Sequence, residues 1–261
     1  MRLPIYYVDA FAEKLFQGNP AAVVIVAETL AVETMQSIAF ENNLSETAFV
    51  KVGSNPFLIQ WFSPVVEVDL CGHATLASAR ILFDSYLPSH SAQISFSAKR
   101  DTLHAFKRDD LIYLDFPSEE LGTETKNKIV TQALGAKPVE LYKGRDDFLA
   151  VYENEEAVHA IDPDFNLLAT LDCRGVIVTA PGKQVDFVSR FFAPRTGVPE
   201  DPVTGSTHTL MVPYWAQKTG KTKLAAAQLS QRSGRLYCEL NGSRVFIGGH
   251  TKKYLQGEIF V

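Results

Sequence analysis

Two stretches half a chain length apart run through the same series of signals, and this constrains the fold more than any other feature. WFSPVVEVDLCGHATLA (61–77) and FFAPRTGVPEDPVTGSTHTLM (191–211) both read as strand, aromatic-x-Pro, acidic loop, glycine and helix. Phe, Pro and Gly recur in the same order, the glycine after a loop three residues longer in the second copy, so the shared order of elements carries the comparison. It predicts a duplicated α+β unit with two related helix starts. The 261 residues leave room for one to two domains. An apolar share of 46% with 21% charged residues is that of a globular chain, long enough to bury a core without disulfide or metal staples.

A net charge of −5 argues against nucleic-acid binding, which needs a basic face to neutralise phosphates. Cys71, Cys173 and Cys238 are far apart and form no CxxC pair, so neither a zinc site nor a disulfide framework is readable. No signal-peptide pattern opens the chain, and no apolar run reaches the roughly 18 residues of a membrane span. The expectation is a soluble, cytoplasmic protein with no membrane or nucleic-acid partner.

Periodicity predicts strands at 5–11, 21–26, 47–52, 57–62, 93–98, 102–106 and 111–116. Helices are expected at 32–40, with Thr29 near its start as a cap, and at 74–87, where the composition is that of a largely buried helix. The polar stretch 117–128 reads as a linker. Beyond it come a helix at 127–134 and strands near 147–152, 175–179 and 185–192. A helix at 206–219 follows, which Pro213 should kink or restart, and then strands at 225–231, 235–240, 244–247 and 252–260.

A helix that begins at a glycine exposes its first N–H groups at the positive end of its dipole. Such an end holds a carboxylate or phosphate, and any oxyanion formed from a substrate. Here Gly72 precedes His73, Gly205 precedes Ser206, and Asp201 stands four residues before Gly205. Taken singly, these residues read better as a helix cap, a turn cap and a structural histidine. Ser45 and Glu46 lie between a helix and the apolar run 47–50. Desolvation there would raise the Glu46 pKa from about 4.3 towards the ~6–7 suited to a general acid/base. The competing reading is a strand residue facing solvent, and Glu41, Glu67 and Asp69 are rival acids that composition does not rank. A hydrolase triad of Ser206, His208 and Asp201 is disfavoured, because residues two apart on a helix point in different directions. GxGxxG after a strand, GxxxxGK[ST], HExxH and GxSxG are all missing, and nothing implies a nicotinamide, flavin, pyridoxal phosphate or metal cofactor.

The blocks VDAFAEKLFQGNPAAV (8–23), NNLSETAFV (42–50), WFSPVVEVDLCGHATLA (61–77), EDPVTGSTH (200–208) and QLSQRSGRLYCEL (228–240) resemble the phenazine-biosynthesis isomerase (PhzF-like) family, relatives of diaminopimelate epimerase. They occur in family order over nearly the whole chain. The resemblance implies two similar α+β domains, 1–116 and 117–261, each a curved mixed sheet around a central helix, with the active site in the cleft between them. It leaves open that the last strand crosses back to the first domain, and it implies a homodimer. It also implies that Glu46 is the catalytic acid/base, taking a proton from one ring carbon of dihydro-hydroxyanthranilate and returning it at another. His73 and Asp201 assist, and Ser45, Gly72, Gly205 and Ser206 bind polar groups of a small anionic substrate. The epimerase relatives place a cysteine at each helix start; here the positions hold Cys71 and Thr204, which disfavours a two-thiol racemase. A one-thiol epimerase using Cys71 and a non-catalytic binding protein stay open beside the glutamate isomerase.

Overall fold

The strand Arg2–Ala10 is held on both edges by antiparallel partners, Asn19–Val26 and, from the far end of the chain, Thr251–Phe260. The structure, a computed structural model, describes residues 1–99 and 101–261. Its contacts divide into two units, Met1–Asp115 with Gly248–Val261, and Phe116–Ile247.

In the first unit, Asn19–Val26 runs parallel to Glu46–Lys51, which is antiparallel to Phe57–Phe62. Phe57–Phe62 pairs antiparallel with the short Glu67–Val68 and parallel with Gln93–Ser97. Thr102–Arg108 and Leu111–Pro117 complete the sheet as antiparallel neighbours. Parallel neighbours need a crossover connection. Helix α1 (Val32–Asn42) supplies the first and helix α2 (Gly72–Ser85) the second. Ala21 to Val26 are all buried, as in a strand covered on both faces. Ala22, Val24 and Val26 share one core with Met35, Ile38 and Phe49, so α1 covers that face. The alternate residues Ala21, Val23 and Ile25 point the other way, and α2 packs against the same strand. From Gly72 to Ala79 every residue of α2 is buried, as are Ile81, Leu82 and Phe83. A helix apolar on all sides is stable only when enclosed.

The second unit repeats this order of pairings. Glu140–Lys143 is antiparallel to Asp147–Val151, which is parallel to Gly175–Pro181, itself antiparallel to Phe187–Ala193. Phe187–Ala193 pairs antiparallel with the short Val198–Glu200 and parallel with Lys223–Gln228, and Gly234–Asn241 follows antiparallel. Even the partners of the matching phenylalanines correspond, Phe62 with Glu67 and Phe192 with Glu200. After α3 (Lys128–Ala133), the crossovers are two five-residue helices, α4 (Glu155–His159) and α5 (Phe165–Ala169), and then α6 (His208–Thr219).

Three local expectations are corrected. Thr29 does not cap α1: its N-cap is Ala31, with no side-chain cap, and Val32 is exposed. Helix α6 begins at His208, later than expected, because residues 205–207 form a tighter turn in which Gly205 and Ser206 carbonyls accept from His208 and Thr209 N–H. Of the two outcomes expected at Pro213, the restart does not occur: α6 runs unbroken from His208 to Thr219. The missing N–H of Pro213 would have served the Thr209 carbonyl, and Glu119 N–H occupies that carbonyl instead, at 2.9 Å.

Gly18 opens the turn into Asn19–Val26 with φ +71°, and a Cβ there would stand 2.1 Å from the Ala10 carbonyl oxygen. Both the left-handed backbone and the backbone contact exclude a side chain. Gly18→Ala should therefore cost about 2 kcal/mol in urea unfolding. A variant as stable as wild type would contradict this account of the turn.

Candidate active site

Helix α2 starts without a capping side chain: Cys71 is its N-cap, Gly72 and His73 its first residues. Cys71 and His73 are each 6% exposed, because the helix they begin is buried on all sides from Gly72 to Ala79. The Cys71 carbonyl accepts from Thr75 twice, from N–H at 3.1 Å and from Oγ1 at 2.6 Å, which fixes the backbone under both residues.

Glu46 is the first residue of its strand, opposite Ala21 in the parallel register. Its neighbourhood is tied down on both sides. Asn43, in the left-handed conformation, ends α1, and Asn42 donates from Nδ2 to Thr47 Oγ1 at 3.0 Å while accepting from the Tyr7 hydroxyl at 3.0 Å. Ser45 is half-buried beside it. The Glu46 side chain reaches His73, with Oε2 3.1 Å from Nε2, and Cys71 Sγ lies 3.6 Å from His73 Nδ1 and 3.9 Å from Nε2. The three residues thus form one cluster, with Cys71 and His73 buried and Glu46 half-buried.

Burial pushes the Glu46 carboxyl upward, but the hydrogen bond and charge of His73, with a bond from Cys71, outweigh it and hold the carboxyl below its ordinary 4.5. This corrects the expectation of a raised value: the desolvation is present, and a cationic partner more than offsets it. Burial opposes the charge of His73 as well, yet Cys71 and Glu46 keep its imidazolium well above the ordinary 6.5. Burial and the Glu46 carboxylate push the Cys71 thiol up to about 11.

These directions predict a pH signature. Glu46 stabilises the fold fully above 4.5, and this is lost as pH falls through its lower folded value. His73 stabilises fully below 6.5, and this is lost as pH climbs through its raised folded value. The denaturation midpoint of wild type minus that of Glu46→Gln should peak between these limits and shrink on both sides. A difference independent of pH would show that the pair is not an ion pair.

The rival acids stand elsewhere. Glu41 is exposed, while Glu67 and Asp69 lie 3.9 and 3.6 Å from Lys99 Nζ.

In the second unit Asp201 is half-buried, and its Oδ2 accepts from Thr204 Oγ1 at 2.5 Å. Gln228, not singled out in the sequence, clamps this loop with both ends of its amide: Oε1 accepts from Thr204 N–H at 2.9 Å, and Nε2 donates to the Asp201 carbonyl at 2.8 Å. Ser206 Oγ accepts from Arg174 Nη1 at 2.8 Å, and Arg174 in turn pairs with the buried Asp147 through both Nε and Nη2. No local spacing announced either partnership. His208 donates from Nδ1 to the Thr204 carbonyl at 2.9 Å, and burial lowers its pKa to about 4. Neither Ser206 nor His208 is joined to Asp201, so no hydrolase triad forms.

The family model described as phenazine biosynthesis-like protein matches residues 8–258. An uncharacterised isomerase of Pseudomonas aeruginosa is 48% identical over 99% of both chains. The crystal structure of a PhzF-family phenazine biosynthesis protein from Enterococcus faecalis is 45% identical, covers all of both chains and superposes with a TM-score of 0.96. A probable proline racemase from Agrobacterium radiobacter, 10% identical over 99% of this chain and 92% of its own, has a TM-score of 0.65, a likeness of fold alone. Among the described residues, no helix is long and apolar enough to cross a membrane.

Proposed function

The chain is an isomerase of the phenazine biosynthesis-like family, and we propose that it moves a proton between two carbons of a small cyclic or unsaturated carboxylate, without a cofactor, with Glu46 as the general acid/base. The observation that carries this reading is the Glu46 carboxylate held 3.1 Å from His73 at the start of a buried helix. An acid/base must be within reach of its proton and in the right protonation state. Glu46 is ionised at neutral pH, so it is ready to accept.

The C–H proton passes to a Glu46 oxygen, and the electron pair left on carbon spreads into the unsaturated system. Backbone N–H groups at the start of α2 stabilise the negative charge that develops. Glu46 then returns the proton at a second carbon and regains its charge, so the reaction is redox-neutral. His73 orients the carboxylate and keeps it ionised between turnovers. Asp201 assists in orienting the substrate, and Ser45, Gly72, Gly205 and Ser206 hold its polar groups. The same reading takes a homodimer in the cytoplasm as the working form, in keeping with three free cysteines.

A one-thiol epimerase has less support. With its thiol pushed up to about 11, Cys71 offers little thiolate at neutral pH. Thiol alkylation separates the two readings, since a glutamate mechanism survives it unless the adduct blocks access.

The test is deuterium exchange followed by NMR. A panel of small cyclic and unsaturated carboxylates, dihydro-hydroxyanthranilate among them, is incubated with the protein in D₂O. Deuterium entering a C–H position of any member, with or without isomerisation, supports proton transfer and ranks the substrates. Binding without exchange across the panel would favour a ligand-binding protein.

A further inference from the structure

We propose that Glu46, Cys71 and His73 also form a binding site for a divalent cation of borderline softness, Zn²⁺ above all. Thiolate, imidazole and carboxylate are the three donor types zinc prefers. Zinc bonds of roughly 2.0–2.3 Å in a tetrahedron put neighbouring donors about 3.3–3.6 Å apart. Here His73 Nε2 lies 3.1 Å from Glu46 Oε2 and 3.9 Å from Cys71 Sγ, and the three donor atoms all lie within 4.8 Å of one another. Among the described residues no other group of three such side chains is gathered this closely.

The donors are also pre-positioned. Cys71 and His73 are nearly buried on a backbone fixed by Thr75, and Glu46 is anchored in a strand, so binding needs side-chain adjustment and no refolding. A carboxylate and a thiolate together cancel the charge of a divalent ion. Three protein ligands leave a fourth position open, the pattern of an exchangeable site rather than a closed structural one. The sequence hid the site because its ligands come from a strand start and a helix start, with no CxxC or HExxH spacing.

Metal binding rests on this geometry alone. Its consequence, reversible inhibition, rests on the proton-transfer reading, because a metal on Glu46 removes the free carboxylate. The experiment uses Co²⁺ as a coloured probe on the chelator-stripped full chain. Expected are one equivalent of tightly bound Co²⁺, tetrahedral d–d bands, a thiolate-to-cobalt charge-transfer band, and bleaching of all these by Zn²⁺. Cys71→Ser should abolish the charge-transfer band, and Glu46→Gln should weaken affinity at least tenfold. Should Cys71→Ser fail to fold, a Cys173→Ala/Cys238→Ala chain retains Cys71 as its only thiol and must keep the band. Absence of stoichiometric binding at micromolar Co²⁺ and Zn²⁺, or a band that survives Cys71→Ser, overturns the site. In the same samples Zn²⁺ should stop deuterium exchange, and a chelator should restore it. A metal-free protein with no exchange at all would count against the proposed reaction and leave the metal result standing.

Discussion

Glu46→Gln is expected to lower deuterium exchange and isomerisation at least ~10³-fold while leaving the folded chain intact. A positioned general acid/base contributes about 10²–10⁴ in rate. Glu46 is asked to act both as base and, after it has gained the proton, as acid, so the loss should lie in the upper part of that range. The substituted amide has the same shape and can still hydrogen-bond to His73, which has the option of losing its proton. Unfolding free energy should therefore stay within about 2 kcal/mol of wild type. The decisive comparison is kcat against folding in one preparation. Exchange retained within tenfold would remove Glu46 from the mechanism and direct attention to Cys71, whose alkylation then becomes the informative experiment.

The duplicated α+β plan was legible because it rests on patterns longer than one helical turn. The matched strand–glycine–helix segments at 61–77 and 191–211 became matched strand pairs and helices, and the all-round apolar character of 74–87 became the enclosed helix α2. Shorter elements escaped. Helices α4 and α5 have five residues each, too few for an apolar period to show, although Asn154 and Asp164 cap them through side-chain bonds. The turn 205–207 escaped because Thr207 already has helical backbone angles. At the site, residue type and local context left Glu46 among rival acids and His73 as an ordinary structural histidine; the family resemblance singled them out, and the sign of the Glu46 pKa shift followed from neither. It depends on His73, a partner distant in sequence. The partnerships of Gln228 and Arg174 were silent for the same reason: each reaches the loop from another strand or its margin, and although Gln228 opens the block 228–240, nothing there ties it to residues 201–204.

The contrast between Cys71 and Thr204 has a physical counterpart in the bonds each makes. Cys71 lies against an acid and an imidazole, whereas Thr204 spends its hydroxyl proton on Asp201. A hydroxyl committed to a carboxylate is a donor that orients that carboxylate, and its ordinary acidity makes it no substitute for a thiol. The two helix starts are therefore related in topology and different in their partners, one beside a carboxylate paired with an imidazole and the other beside a carboxylate that accepts from a hydroxyl. That asymmetry suits removal and return of a proton by a single group better than exchange between two.

Trp215→Ala should be the most costly single change in stability among those considered, about 3–5 kcal/mol. Trp215 lies 4% exposed on α6, stacks on Phe187 with ring centroids 5.7 Å apart and planes 6° from parallel, and meets Tyr214 edge-on at 5.2 Å. Its Nε1 donates to Thr179 Oγ1 at 3.0 Å. Truncation removes the stack and opens a cavity between α6 and the sheet that small neighbours cannot fill. Trp215→Phe separates the two contributions. It keeps most of the stacking, and Thr179 Oγ1 still donates to the Val188 carbonyl at 2.7 Å, so the lost bond should cost only about 1 kcal/mol beyond the difference in ring size. The effect should extend to the site, because Phe187 begins the strand whose Phe191 carbonyl accepts from Asp201 N–H at 3.1 Å. Guanidinium unfolding measures the stability, and amide exchange at Asp201 and Thr204 measures the local loosening. Equal losses for Phe and Ala would mean that the indole hydrogen bond, and not the packing, holds α6 to its sheet.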